Sequence, residues 1–418
     1  MTLLATPATR RRFPAATAAM VSAGLLLAAC GASATNGTGA PASSGSKPPL
    51  VIGVIFPTTG PYGIFGNVSI NGMKVAVQDI NKAGGILGRQ VQLDVRDDGG
   101  DVSKATLAAK DLLDNDHVDL LMPGSIAQTV LAILPITTLR NLTTITQASS
   151  NDTVDLTKFP LSFQMTFPTT SQGKAIACVL QGDGHLKVGT LTTGDKGGVT
   201  LMGAMVQALQ SKGITVAAQQ QFGLADTSAV SQVQALKSAG VDAVVVQAAG
   251  TALSTAAGAF QALGWNVPIV FTQGSVSTNL DKYVPASIAA NVKAVVVSSQ
   301  ARPSETELPP ALKPFIQELA AIGPVQDLSV SILSRDVIYA YKWAIEKAGS
   351  TNGEQLKTAL QGMSTATLPA NYFYSFPNPN FTGTDHSTDH ADLSKFWGVV
   401  KVSTLLDGTY VGGPAPSC

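Results

Sequence analysis

The chain has 418 residues, 45% of them apolar and 13% charged, with 27 basic against 27 acidic residues and a formal charge of zero. That length and apolar content suffice for a large core divided between two lobes, while the charge balance excludes the basic surface that binding to nucleic-acid phosphates requires. Beyond the first thirty residues no apolar stretch reaches the length of a membrane-spanning helix without polar interruption.

Arg10, Arg11 and Arg12 precede a modest apolar run from Ala15 to Leu27, and Leu27-Ala28-Ala29 place small residues before Cys30. This is the pattern of a secretory leader, and Leu-Ala-Ala-Cys resembles the lipobox of bacterial lipoproteins, in which the cysteine becomes the lipid-carrying N-terminus. The alternative is an ordinary leader with a chance cysteine. Thr9-Arg10-Arg11-Arg12-Phe13 fits both twin-arginine export and a plain basic n-region. Removal of residues 1–29 takes away three arginines and no acid, leaving 24 basic against 27 acidic residues, a formal −3. Residues 31–49, rich in Gly, Ser, Ala, Thr and Pro, read as a flexible tether of roughly 25 Å mean span. The expected location is extracytoplasmic, lipid-anchored at the outer face of the cytoplasmic membrane.

From Leu50 onward, short β-branched runs alternate with helix-length stretches. Residues 50–56, 90–98, 119–122 and 143–148 read as strands, near-continuously apolar as in parallel sheets covered on both faces. Ile70, Met73, Val77 and Ile80 recur at helical spacing, and Ala83-Gly84-Gly85 ends that helix. A second series, 187–193, 215–222, 243–248 and 268–273, repeats the alternation. The predicted fold is therefore α/β: two doubly wound parallel-sheet lobes joined by crossovers. Residues 163–168 read as the first crossover and 297–301 as the second. Helical stretches near 310–322, 329–348 and 352–362 are expected to return to the first lobe, and the tail from Tyr372 to pack as strands on the second. The predicted division is 50–165 plus 300–370 for lobe 1, and 166–299 plus 371–418 for lobe 2.

The run from Val51 to Asp98, with its "TTGPYG" loop, the helix carrying "GMKVAVQDINKAGGI" and a strand ending in two aspartates, resembles the first βαβ unit of the leucine/isoleucine/valine-type solute-binding proteins of ABC transporters. The likeness extends over about residues 50–410. It implies a periplasmic binding protein of type 1, its two lobes joined by hinge crossovers with a ligand cleft between them, with a small molecule as ligand, permease subunits as partners, a monomeric state, no cofactor and no metal. Lipid anchoring suits a cell without a closed periplasm. In open parallel sheets, ligands lie outside the carboxyl ends of the strands, near helix N-termini. Those edges are Thr58–Gly66, Pro123–Thr129, Gln147–Asn151, Thr193–Gly198, Gln247–Thr251 and Thr272–Ser275.

Laid over the family's motifs, Ala127-Gln128 fall where a serine pair meets a ligand carboxylate, and Ala148-Ser149-Ser150 where carboxylate and amino group are held. Tyr62 lies in the first loop, and Phe65 stands where a tyrosine is frequent. In the second lobe Gly197, Ala249 and Gln273 replace an aromatic-containing pair, an aromatic and an acid. An ammonium buried without a carboxylate is strongly penalised, so two ligand classes stay open: the family's branched-chain amino acid, or a bulkier neutral or carboxylate-bearing solute. Asp195 or Lys196 is a rescue for either, or a solvated loop pair. A ligand-sensing receptor is a third reading.

An enzyme is disfavoured. The sequence lacks a Gly-x-Ser-x-Gly elbow, a Walker-type loop and a His-Glu-x-x-His motif, and His386 and His390 in "DHSTDH" read as polar loop residues rather than metal ligands. After export Cys178 and Cys418 remain in an oxidising compartment. The alternatives are a disulfide between them, or a buried thiol with a frayed, reduced C-terminus.

Overall fold

The computed structural model describes residues 47–60, 62–167, 169–276, 279–364, 367–369, 372–375, 379–388, 396–415 and 418. Cys30, the leader, nearly all of the tether and His390 lie outside the described residues.

The first sheet is built on β1 (Leu50–Phe56), which pairs in parallel with β2 (Val91–Asp97) on one side and β3 (Leu120–Met122) on the other. A further parallel pair, β4 (Thr144–Thr146) and β5 (Ser162–Gln164), follows. Side chains alternate across a strand. Leu50, Ile52, Val54 and Phe56 therefore point into one core, shared with Met73 and Ile80 of helix α1 (Gly63–Lys82). Ile55 points to the opposite core, under α2 (Val102–Asp114) and α3 (Ala127–Leu139). Burial on both faces is why β1 reads as an unbroken apolar run.

The second sheet has the parallel order β7 (Thr215–Phe222), β6 (Lys187–Thr193), β8 (Ala243–Gln247), β9 (Ile269–Phe271), β10 (Val292–Val297). Helices α4 (Thr169–Gly182) and α5 (Lys196–Ser211) cover one face. On the other lie α6 (Val230–Ser238) and α7 (Thr251–Ala262), with the single-turn helices α8 (Leu280–Tyr283) and α9 (Ala286–Ala289). The sheet then extends through β11 (Ala301–Arg302), β12 (Trp397–Lys401) and β13 (Tyr410–Pro414). Because β12 runs antiparallel to both β10 and β13, this sheet is mixed, not wholly parallel as expected.

After Arg302 the chain crosses to the first lobe, where α10 (Lys313–Ile322), α11 (Leu328–Ala348) and α12 (Gly353–Gln361) lie. Helix α11 runs along α1, and their approach is so close at Gly72 that a Cβ there would stand 2.0 Å from the Ser331 carbonyl oxygen. Any side chain would force the helices apart.

Two sequence expectations are corrected. Residues 163–168 are not only a crossover, since Phe163 and Gln164 belong to β5 and pair with Ile145 and Thr146. And the tail does not join the second lobe from Tyr372. Asp336 of α11 accepts from the Tyr374 and Ser375 N–H groups, while His386 stacks on Phe163 with ring centroids 3.8 Å apart. Residues 372–375 and 379–388 thus lie against the first sheet and its helices, whereas β12 belongs to the second. Such a segment carries neither helical nor strand periodicity, so its sequence gave no sign of which lobe it covers.

Cys178 of α4 and Cys418 form a disulfide, with Cα atoms 5.3 Å apart, and the Cys418 carbonyl accepts from Lys212 Nζ. The C-terminus is held, not frayed.

Candidate functional site

At the carboxyl end of β1 the loop is fixed by Asp97. Its carboxylate accepts from the Thr58 N–H (2.7 Å), the Thr59 N–H (3.2 Å), the Thr59 hydroxyl (2.6 Å) and the Gly99 N–H (3.0 Å). Partial burial opposes ionisation, but the hydrogen bonds from Thr59, Thr58 and Gly99 prevail and hold the pKa at about 2. Neighbouring Asp98 is fully buried. Burial raises its pKa even though the Gly100 N–H bonds it, and its Oδ2 has no hydrogen-bond partner among the described residues.

The first turn of α1 carries Tyr62, 47% exposed, and half-buried Phe65. Gly66 lets this turn tuck beneath the strand, since a Cβ there would fall 1.9 Å from the Pro57 carbonyl oxygen. Tyr62 and Ile126 converge over Gly100: a Cβ on that glycine would meet the Ile126 Cδ1 at 3.3 Å and the Tyr62 Cδ2 at 3.4 Å. They form an apolar wall beside the start of α3.

Helix α3 begins without a side-chain cap, because its N-cap position is Ile126. Half-buried Ala127 and exposed Gln128 open the helix, and their N–H groups have no partner among the described residues. An uncapped N-terminus leaves N–H groups and the positive end of the helix dipole available to an anion. Helices α2, α11 and α12 are capped by Asp101, Asp327 and Asn352, whereas α1, α6, α7 and α10 start, like α3, without a side-chain cap.

After β4, Ala148 is buried, Ser149 exposed and Ser150 half-buried. Gln164 holds this loop from β5, its Nε2 donating to the Ala148 carbonyl (2.6 Å) and the Ser150 carbonyl (3.0 Å). The Ser149 hydroxyl lies 3.0 Å from that of Thr166 on the first crossover. Gln164 escaped the sequence reading, because nothing local ties it to a loop on the neighbouring strand.

On the second lobe, Gly197 is exposed and Ala249 half-buried. Asp195 is engaged as the cap of α5, accepting from the Gly198 N–H at 3.2 Å. Lys196 opens that helix, but its side chain is outside the described set. Gln273 does not present its amide to the cleft. Its Oε1 accepts from the Val297 N–H (2.7 Å), and its Nε2 donates to Gln300 Oε1 (2.8 Å) and Ser329 Oγ (3.0 Å). His386 is buried, with Nδ1 2.9 Å from the Ser162 carbonyl oxygen and Nε2 2.9 Å from Gln361 Nε2.

Two α/β lobes, each with loops that lead from strand ends into helix N-termini, form the architecture found in solute-binding proteins. The chain belongs to the periplasmic binding protein family, whose sequence profile matches residues 49–394. A Leu/Ile/Val-binding protein, BraC3, of Rhizobium johnstonii is 45% identical over 60 residues, 14% of this chain and 16% of that protein. The match thus spans about one-sixth of that curated relative's length. Among solved structures, the leucine-binding protein LivK of Thermotoga maritima aligns with a TM-score of 0.65 and 19% identity over 87% of this chain and 97% of its own. An ABC-transporter solute-binding protein of Rhodopseudomonas palustris, in complex with 4-hydroxybenzoate, aligns with a TM-score of 0.67 and 18% identity over 88% and 98%. At such identities the likeness is one of fold.

Proposed function

We propose that the chain captures a small organic carboxylate lacking an ammonium group and delivers it to the permease of an ABC transporter, working as a monomer tethered through a lipid on Cys30. The observation that carries the ligand class is the uncapped start of α3 beside the exposed Ser149 hydroxyl, together with the engagement of Asp97 and Asp195 elsewhere. Asp97 is consumed by the β1 loop and Asp195 by α5. Asp152 lies exposed to solvent on the turn after Ser150. A carboxylate at α3 gains from N–H donors and the dipole, whereas an ammonium there meets Asp97 already bonded by its loop and Asp98 pushed by burial toward its neutral form. Small Gly197 and Ala249 leave room for a ring-sized body, with Tyr62, Phe65 and Ile126 as apolar walls. The remaining residues at the edge, Ala127, Gln128, Ala148 and Ser150, shape the carboxylate end.

The amino-acid reading rests on the short match to Leu/Ile/Val-binding proteins. A thermal-shift series over 4-hydroxybenzoate, benzoate, short aliphatic carboxylates, leucine and isoleucine separates the two, because a ligand bound only by the native state stabilises it by RT ln(1 + [L]/Kd). Stabilisation by an aromatic or aliphatic carboxylate, with leucine and isoleucine silent, is the expected outcome; the reverse order rejects the ligand class. For the anchor, Cys30→Ser is expected to move the protein from the membrane fraction to the medium, and unchanged membrane association rejects lipidation.

A further inference from the structure

Four buried side chains meet where the second crossover passes between the lobes: Gln273, Gln300, Asp327 and Ser329, none more than 7% exposed. They come from three places: the end of β9, the turn after β10, and the N-terminus of α11 in the other lobe. The polarity of their hydrogen bonds is fixed by the groups themselves. The Val297 backbone N–H can only donate, so the end of Gln273 facing it, at 2.7 Å, is the carbonyl oxygen. Its NH2 then faces Gln300 Oε1 at 2.8 Å and Ser329 Oγ at 3.0 Å. The Gln300 NH2 donates onward to Asp327 Oδ1 at 3.3 Å, and that carboxylate also takes the Ser329 hydroxyl at 2.6 Å and the Ser329 and Val330 N–H groups. The relay ends on the acid that caps the longest helix of the first lobe.

We propose that Gln273 is the positioning residue of the hinge. It sets the angle between the lobes by joining the ligand-side loop after β9 to the crossover and to the cap of α11. Both amide hydrogens and the carbonyl are in use, so a change of interlobe angle that parts β9 from α11 breaks the Ser329 bond or hands it to another acceptor. A residue that only filled space would leave that angle free. A network satisfied at every member holds a single geometry where a partly satisfied one does not.

The test compares Gln273→Met, which keeps length and volume but removes every bond, with Gln172→Met. Gln172 is equally buried, but its Nε2 donates to the Val295 carbonyl within the second lobe. Spin labels at Leu107→Cys and Leu224→Cys, 70% and 57% exposed on the two lobes, report the interlobe distance by electron-electron resonance in the full chain carrying Cys30→Ser, with the disulfide intact. The expected result is a distance distribution broadened about twofold or more by Gln273→Met, as for a released hinge, and unchanged by Gln172→Met. A Gln273→Met distribution as narrow as the parent's, or equal broadening by both variants, overturns the proposal. Should Gln273→Met fail to fold, Ser329→Ala and Gln300→Met each remove one arm of the relay and are judged by the same two outcomes. No ligand is added, so the result is independent of which solute the cleft takes.

Discussion

Gln164 sits one strand away from the loop it holds, and His386 sits on a segment far along the chain that closes over the same strand. The loop 148–150 is legible in the sequence because its small hydroxyl-bearing residues form a local pattern. The residues that fix it are not, because their partners are chosen by strand pairing and chain return. Gln273 illustrates the same limit: its place after β9 suggests a cleft ligand, and only the distant Val297, Gln300 and Ser329 reveal a hinge residue. His386 carries a pH signature. Burial first, and then the Lys357 charge, push its pKa below the ordinary histidine value, against the Ser162 carbonyl and Asp385, which raise it. As the pH falls below the unfolded value of about 6.5, the unfolded chain binds the proton before the folded one, so stability present above that pH is lost on acidification toward the lower folded value. In His386→Phe the melting temperature is expected to be lower at pH 7 through lost hydrogen bonds, yet to change less between pH 7 and 5. Thermal melts across that range check it, and an unaltered slope counts against the assignment.

At the scale of elements, the proposed carboxylate site is the open start of α3. Where α5 starts with Asp195 and α2 with Asp101, the side chain fills the terminus, while α3 starts with Ile126 and leaves it open. Placing a carboxylate there separates the two roles. Ile126→Asp is expected to add up to about 1 kcal/mol of helix capping, offset by lost contact with Tyr62, and to abolish binding of 4-hydroxybenzoate by occupying the N–H groups the ligand needs. Melting curves together with a binding titration decide it: a variant that binds normally shows that the α3 terminus is not the carboxylate site. The strands and helices of both series are visible in the sequence from their periodicity. The antiparallel β12 and β13 are visible as strands, though not in their direction, since apolar alternation does not encode pairing sense. The sequence from 372 to 388 has no period to read, and the attachment of Tyr374, Ser375 and His386 through Asp336, Phe163 and Ser162 is a tertiary choice.

For the molecule as a whole, the Cys178–Cys418 bond closes a separation of 240 residues. It fastens the strand that ends the chain to the first helix of the second lobe. On the chain-entropy account such a loop restricts the unfolded state by roughly 5 kcal/mol, an upper figure where the unfolded chain keeps structure. Cys418→Ser, or reductant added to the parent, is therefore expected to lower the melting temperature by several degrees with little change in ligand affinity. A parent protein whose melting is indifferent to reductant contradicts this. The two-lobed design itself follows from length and from two runs of alternating elements, but the lobe angle depends on contacts between residues far apart in the chain.

Calorimetric titration of the purified protein with 4-hydroxybenzoate and, separately, with leucine decides whether the chain takes a carboxylate that lacks an ammonium group. The account predicts saturable binding of one carboxylate per chain, with leucine weaker by about tenfold or more, the discrimination expected when a buried ammonium lacks a charged partner. Leucine binding as tightly as the aromatic carboxylate, or more tightly, would contradict it.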